Sequence, residues 1–385
     1  MFPFSSKETT RESVLFGVIG SYISQDVSHL EDAYRRGIRV WRICVPWDLY
    51  EPMEGFFDPE YVRKTEAYIR KITEAGLNVE VQLSFQNPPP WVFTYPGSRF
   101  RNQYGDEWIQ EPSSGKNTAN AVFNPHIRRI QSNTMEAFFR DFGTDFWTVD
   151  LSIGIYGEVS YPEADFRGEI NSYWAFDEHA QACCPVPGWI PGEASENNSS
   201  ARIFANWYLD SMIDYVRWQI EEIRKHYSGR INCLFGGWGL RDDWLEDVIA
   251  SDLSGSTFVE YPAELVQRGL DFKRLIESIV DDNFSVCCTW MDPDPRWYDD
   301  DSPREEDWSP PKYLSQLAES NSFSYVGENG GARSFVWAFE NLKRCGYGCL
   351  TWLNEEWLWE DPSRIEAFEN EIKGYGLATN PLISK

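Results

Sequence analysis

Two glutamates in this chain stand in matching surroundings. Glu158 lies in the run SIGIYGEVSYPE and Glu328 in SYVGENGG; each closes an apolar stretch and each is preceded by glycine. A lone glutamate after an apolar run is ordinarily a capping or surface group, but two in the same context form a candidate pair. Cleavage of a glycosidic bond needs such a pair: one carboxylic acid protonates the leaving oxygen, and a second carboxylate attacks the sugar carbon or activates water. Polar and aromatic residues gather at the ends of the other apolar runs. Trp47, Trp91, Trp238, Trp290 and Trp352 are candidate stacking platforms, since an indole offers a broad flat face and one polar edge. Gln86, Asn87 and Asn354 are candidate ligands for sugar hydroxyls. Tyr156, Asp292, Asn329 and Glu355 complete the set expected to meet substrate, and Asp292 and Glu355 also compete for a catalytic role. Arg42 sits inside an apolar run, where a cation is costly unless it has a fixed acidic partner. Glu328 is the expected partner.

Other chemistries lack their residues. There is no HExxH-type cluster, only four His occur in 385 residues, and the spacing of Cys345 and Cys349 does not suit zinc, so no metal site is expected. No GxGxxG follows the first strand-like run and no GxxxxGK(S/T) occurs, so no cofactor is expected. Lys and Arg number 35 against 61 Asp and Glu, a net charge of −26 that opposes binding to nucleic acid. No apolar run approaches the roughly 18 residues of a membrane span. The start, MFPFSSKETTRES, lacks the basic-then-apolar order of a secretion signal, and the eight cysteines read as small buried hydrophobes; both point to the cytoplasm. The 18 Trp, 19 Tyr and 24 Phe are more than core filling commonly needs, which suits an oligo- or polysaccharide as partner. Oligomeric state is not legible.

The elements that position these residues alternate eight times between strand-like and helical patterns. The strand-like runs are VLFGVIGS from Val14, RVWRICVP from Arg39, NVEVQLSF ending at Phe85, TVDLSIGI from Thr148, INCLFGGW, FSVCCTWMD, FSYVGEN and YGCLTWLNE. Helical patterns lie between them: one around HLEDAYRRG, one ending at Gly76, one capped at Asn124-Pro125, a long one from Arg202 to His226, and a last one near Pro362. Eight such rounds predict a single α/β domain over 1–385, a (β/α)8 TIM barrel with long βα loops after strands 3, 4 and 5. The strands read as apolar on both faces, as parallel strands under helices do. In this fold the chemistry sits on the loops at the carboxyl ends of the strands, where both glutamates fall; strands 4 and 7 end nearly opposite each other.

The run RVWRICVPWDLYEPMEGFFD resembles the strand-2 region of clan A glycoside hydrolases, above all the family 35 and family 42 β-galactosidases, with Arg42, Trp47, Glu51, Pro52, Gly55 and Asp58 at the matching positions. The NPPPW run at Asn87–Trp91 is similar to the loop after strand 3 in family 42. The resemblance implies Glu158 as acid/base, Glu328 as nucleophile and Arg42 as its support, with retention of configuration. One position departs: Gly157 stands where the clan carries an Asn that binds the sugar 2-hydroxyl. There, SIGIYGEVSYPE is similar to the acid-bearing motif of β-amylases, which are inverting barrels, and ENGGARSF is loosely similar to their second motif. That likeness implies Glu328 as a base for water instead. A barrel that binds sugar without cleaving it is the reading from outside the enzymes.

Overall fold

The computed structural model describes residues 14–21, 24–111, 115–164, 171–255, 260–331 and 333–379. The amino-terminal run that bears on a secretion signal lies outside them. In chain order the elements are β1 (Leu15–Ile19), α1 (Leu30–Arg35), β2 (Val40–Pro46), α2 (Trp47–Tyr50), α3 (Pro59–Glu74), β3 (Asn78–Ser84), α4 (Pro125–Phe142), β4 (Thr148–Asp150), α5 (Glu178–Cys183), α6 (Ser199–Arg224), β5 (Arg230–Phe235), α7 (Asp242–Ala250), α8 (Glu260–Gln267), α9 (Phe272–Ser278), β6 (Phe284–Cys288), α10 (Pro310–Ser320), β7 (Ser324–Glu328), α11 (Phe335–Cys345), β8 (Cys349–Trp352), α12 (Glu355–Glu360) and α13 (Pro362–Thr379). All eight strands pair in parallel in sequence order, and β8 closes on β1 through Leu15–Val18 against Cys349–Trp352. This is the expected (β/α)8 barrel.

Local chemistry starts the helices where the sequence marks them. Asp58 accepts from the amides of Glu60 and Tyr61 ahead of Pro59, and Asn124 accepts from His126 ahead of Pro125. Ser309 and Ser334 cap α10 and α11 in the same way. No described helix is long and apolar enough to cross a membrane.

Side chains of the strands divide between two cores. Phe16, Val18, Trp41, Ile43, Val45, Val79, Val81 and Leu83 face the helices in one large apolar cluster. Val40, Leu234, Cys287, Val326 and Cys349, from five strands, meet inside the barrel. Above them the interior turns polar, with Arg42, Glu80, Asp150, Asn232 and Glu328. The expectation of strands apolar on both faces is therefore corrected. β3 alternates strictly, its Val and Leu outward and Glu80, Gln82 and Ser84 inward, because successive side chains of a strand point to opposite faces.

Two further expectations are corrected. Only the turn 236–241 follows β5; the stretch read as a long loop there folds into α7, α8 and α9. Long βα connections do follow β3 (85–124) and β4 (151–198), and a third follows β6 (289–309), which holds the acidic run. All eight cysteines are free thiols and seven are buried, but Cys183 is exposed at the end of α5.

Candidate active site

At the carboxyl ends of the strands Glu158 stands close enough to Glu328 for its charge to raise the Glu328 carboxyl. Glu328 is the last residue of β7 and is buried. Glu158 lies beyond β4. The chain leaves the sheet after Asp150, turns at 154–157, and returns to pair Val159 with Leu234 of β5. This turn carries the Glu158 carboxylate over the end of β5, where Gly236 makes room: a Cβ there would stand 2.1 Å from Oε2. Gly157 is required by its φ of +80° and by Gln82, whose amide nitrogen would lie 2.6 Å from an added Cβ. An Asn at 157 would be strained and would have to displace the Gln82 amide from the Leu151 carbonyl.

Each glutamate has a distinct environment. Burial pushes the Glu158 carboxyl above its ordinary range, and the Thr289 hydroxyl, which donates to Oε1, pulls it back. Burial raises Glu328 too, but there the opposing pull is the guanidinium of Arg42, bonded to Oε2. Arg42 thus has the partner expected from the sequence, and two more. Its Nη2 is 2.6 Å from Glu80 and its Nε 2.9 Å from Asp150. One cation faces three buried carboxyl groups. Burial lifts Asp150 well above the usual carboxylate range, with Arg42 pulling it down and Glu80 pushing it further up. Burial and Glu80 thus favour the protonated form of Asp150.

The remaining candidates fall into two groups. Trp290 is exposed beside Gly330, just past Glu328. Trp238 is half-buried against Tyr261 and Tyr298; Trp91 is half-buried, its indole donating to the Glu51 carbonyl; Tyr156 lies under Lys116. Trp47 and Trp352, by contrast, are fully buried and have no open ring face, which corrects their reading as platforms. Trp47 opens α2 directly after β2 and donates to Glu51 Oε2, edge-on to Trp91. In β8 Thr351 points inward, against β1, so the next residue, Trp352, must point out, into Phe335, Trp357 and Phe368.

Several polar candidates hold the loops in place. Asp292 is buried and accepts from the amides of Gly330 and Arg333, both at 2.6 Å, so it shapes the loop after Glu328. Asn329 Oδ1 accepts from Leu353, and Asn354 caps α12 through Trp357. Gln86 joins Ser152 to Gln82. The Asn87 carbonyl accepts from Asp48. Glu355 takes the Ser21 amide, across the seam between β8 and β1. The EP…G run is also structural: Glu51 accepts from Trp47, Gly55 and Thr134. Glu80, Asp150, Gln82 and Thr289 were not among the sequence candidates. For Glu80, Gln82 and Asp150 the signal was the alternation of polar residues within β3 and the acid closing β4; for Thr289 it was its place directly after β6.

The sequence matches no family model and no curated protein. Among solved structures, the catalytic domain of a β-amylase from Paenibacillus polymyxa superposes with a TM-score of 0.70 at 16% identity, covering 94% of this chain and 98% of that one. Two β-galactosidases, from Marinomonas ef1 and Halorubrum lacusprofundi, give TM-scores of 0.55 and 0.54 at 13% and 14% identity, each covering 88% of this chain and about half of their own. The chain thus has the barrel seen in glycoside hydrolase structures.

Proposed function

We propose that this protein is a glycoside hydrolase acting on an oligo- or polysaccharide, with Glu158 as the acid/base and Glu328 as the nucleophile. The observation that carries the proposal is the pair of carboxyl groups from opposite sides of the barrel, one backed by a hydroxyl and the other by a guanidinium. Burial keeps Glu158 protonated to higher pH than a free carboxyl, so it can give its proton to the leaving oxygen. Arg42 bonded to Glu328 favours the ionised form, which a nucleophile needs. Attack by Glu328 forms a glycosyl ester as the glycosidic bond breaks; Glu158, now a carboxylate, takes a proton from water, which releases the sugar with retained configuration. Trp290, Trp238 and Trp91 are the platforms that remain for the sugar rings.

A second reading is favoured by Gly157 and by the extent of the β-amylase superposition: Glu328 activates water directly and configuration inverts. Hydrolysis of a panel of aryl glycosides and polysaccharides, with the first-released anomer followed by proton NMR, decides between the two. Glu158→Gln and Glu328→Gln should fold normally and lose activity on the order of 10³-fold. Near-normal turnover in either variant removes that residue from the mechanism, and no hydrolysis of any panel member overturns the proposal.

A further inference from the structure

The seam where the barrel closes carries a second cluster of titratable groups. Asp26 and His29 lie on the connection from β1 to α1, and Glu355 opens α12 after β8. One ring nitrogen of His29 and one oxygen from each carboxylate lie within 4.8 Å of one another. Two carboxylates and an imidazole this close are normally joined by a proton or a donor. Among the described residues no hydrogen bond or ion pair links any two of them.

Glu355 supplies the second observation. Its residue is only 2% exposed, one carboxylate oxygen accepts from the Ser21 amide, and the other, Oε1, has no hydrogen-bond partner among the described residues. A buried carboxylate oxygen left unpaired is costly, and in a native fold it calls for a ligand. The neighbouring charges on Glu355 are Asp26 and Glu356, so another anion cannot be that ligand. A cation can.

We propose that Asp26, His29 and Glu355 bind a divalent cation of the zinc class at this seam. An imidazole nitrogen with two carboxylate oxygens is a borderline donor set, which suits zinc better than the all-oxygen preference of calcium or magnesium. Three protein ligands leave a position for water on the exposed Asp26 side. The ligands are held in place. His29 caps α1 with its carbonyl, and its ring stacks on Trp359 at 4.9 Å and 18°. The Ser21 amide fixes Glu355. A bound ion would tie the first βα connection to the last, where nothing covalent closes the barrel.

Equilibrium dialysis and thermal unfolding of the full chain with Zn²⁺ test this. One Zn²⁺ should bind per chain, with a melting temperature that rises with its concentration, because a ligand that binds only the folded state stabilises it. His29→Ala and Glu355→Gln should each weaken binding by about tenfold or more, as loss of a ligand or its support does. Glu355→Gln keeps the acceptor for Ser21, so it reports on the ion rather than on folding. Cys183→Ser, at the one exposed thiol, should leave binding unchanged. Absence of saturable Zn²⁺ binding, or binding abolished by Cys183→Ser and untouched by His29→Ala, overturns the assignment.

Discussion

Thr289 is the residue through which the acidity of Glu158 can be adjusted without touching either carboxyl group. Its hydroxyl donates to Oε1, and a hydrogen bond to the charged form lowers a carboxyl pKa. Thr289→Val deletes that bond at nearly constant shape. The Glu158 pKa should then rise, so the alkaline limb of the kcat/KM profile, where the acid loses its proton, should move to higher pH. An unmoved or acid-shifted limb would mean that Glu158 is not the proton donor. Glu328 responds to Arg42 in the same sense, because the guanidinium lowers its pKa, and removal of Arg42 would leave three buried carboxyl groups with no cation among them.

Strand parity decides which tryptophans can touch a ligand. Trp352 is one position from the inward Thr351 of β8 and is packed between Phe335, Trp357 and Phe368. Trp352→Ala should therefore cost about 3–5 kcal/mol of stability, as loss of a buried aromatic does. Trp290 lies after β6 and is 38% exposed. Trp290→Ala should leave the melting temperature close to that of the parent and raise KM by about two- to tenfold, the weight of one aromatic stacking contact. Chemical denaturation and steady-state kinetics on both variants separate the roles. A stable Trp352→Ala protein, or unchanged KM in Trp290→Ala, would place the sugar on a different surface.

For the molecule as a whole, the polar upper half of the barrel interior makes stability depend on pH. The Asp150 carboxyl is raised well above the range it would have in the unfolded chain, chiefly by burial. Between those two pKa values the folded state binds the extra proton, so stability falls as pH rises. Its contribution is full below the ordinary carboxylate pKa and is lost as pH climbs through the raised one. Asp150→Asn mimics the protonated form at every pH. The melting temperature of the variant relative to the parent should therefore increase as pH rises above about 4, where an ordinary carboxyl ionises. A difference that stays flat or shrinks would show that the proton resides elsewhere in the cluster.

The alternation of apolar runs and amphipathic helices determined the barrel, because period and length are local properties that each segment carries by itself. The same holds for the cap at Asn124 and for the two glutamates, which stand out as polar residues ending apolar runs. Arg42 was legible as a cation in need of an acid, and Glu328 was the acid named. That Glu80 and Asp150 share it was decided only by closure, which brings β2, β3, β4 and β7 around one interior. Closure also set the fate of the tryptophans. A one-residue step along β8 separates the sugar-facing mouth from the helix-facing core, and the mere presence of Trp352 at a strand end does not say which face it takes. The Asp26, His29 and Glu355 cluster joins residues more than 300 positions apart, and only the pairing of β1 with β8 makes them neighbours.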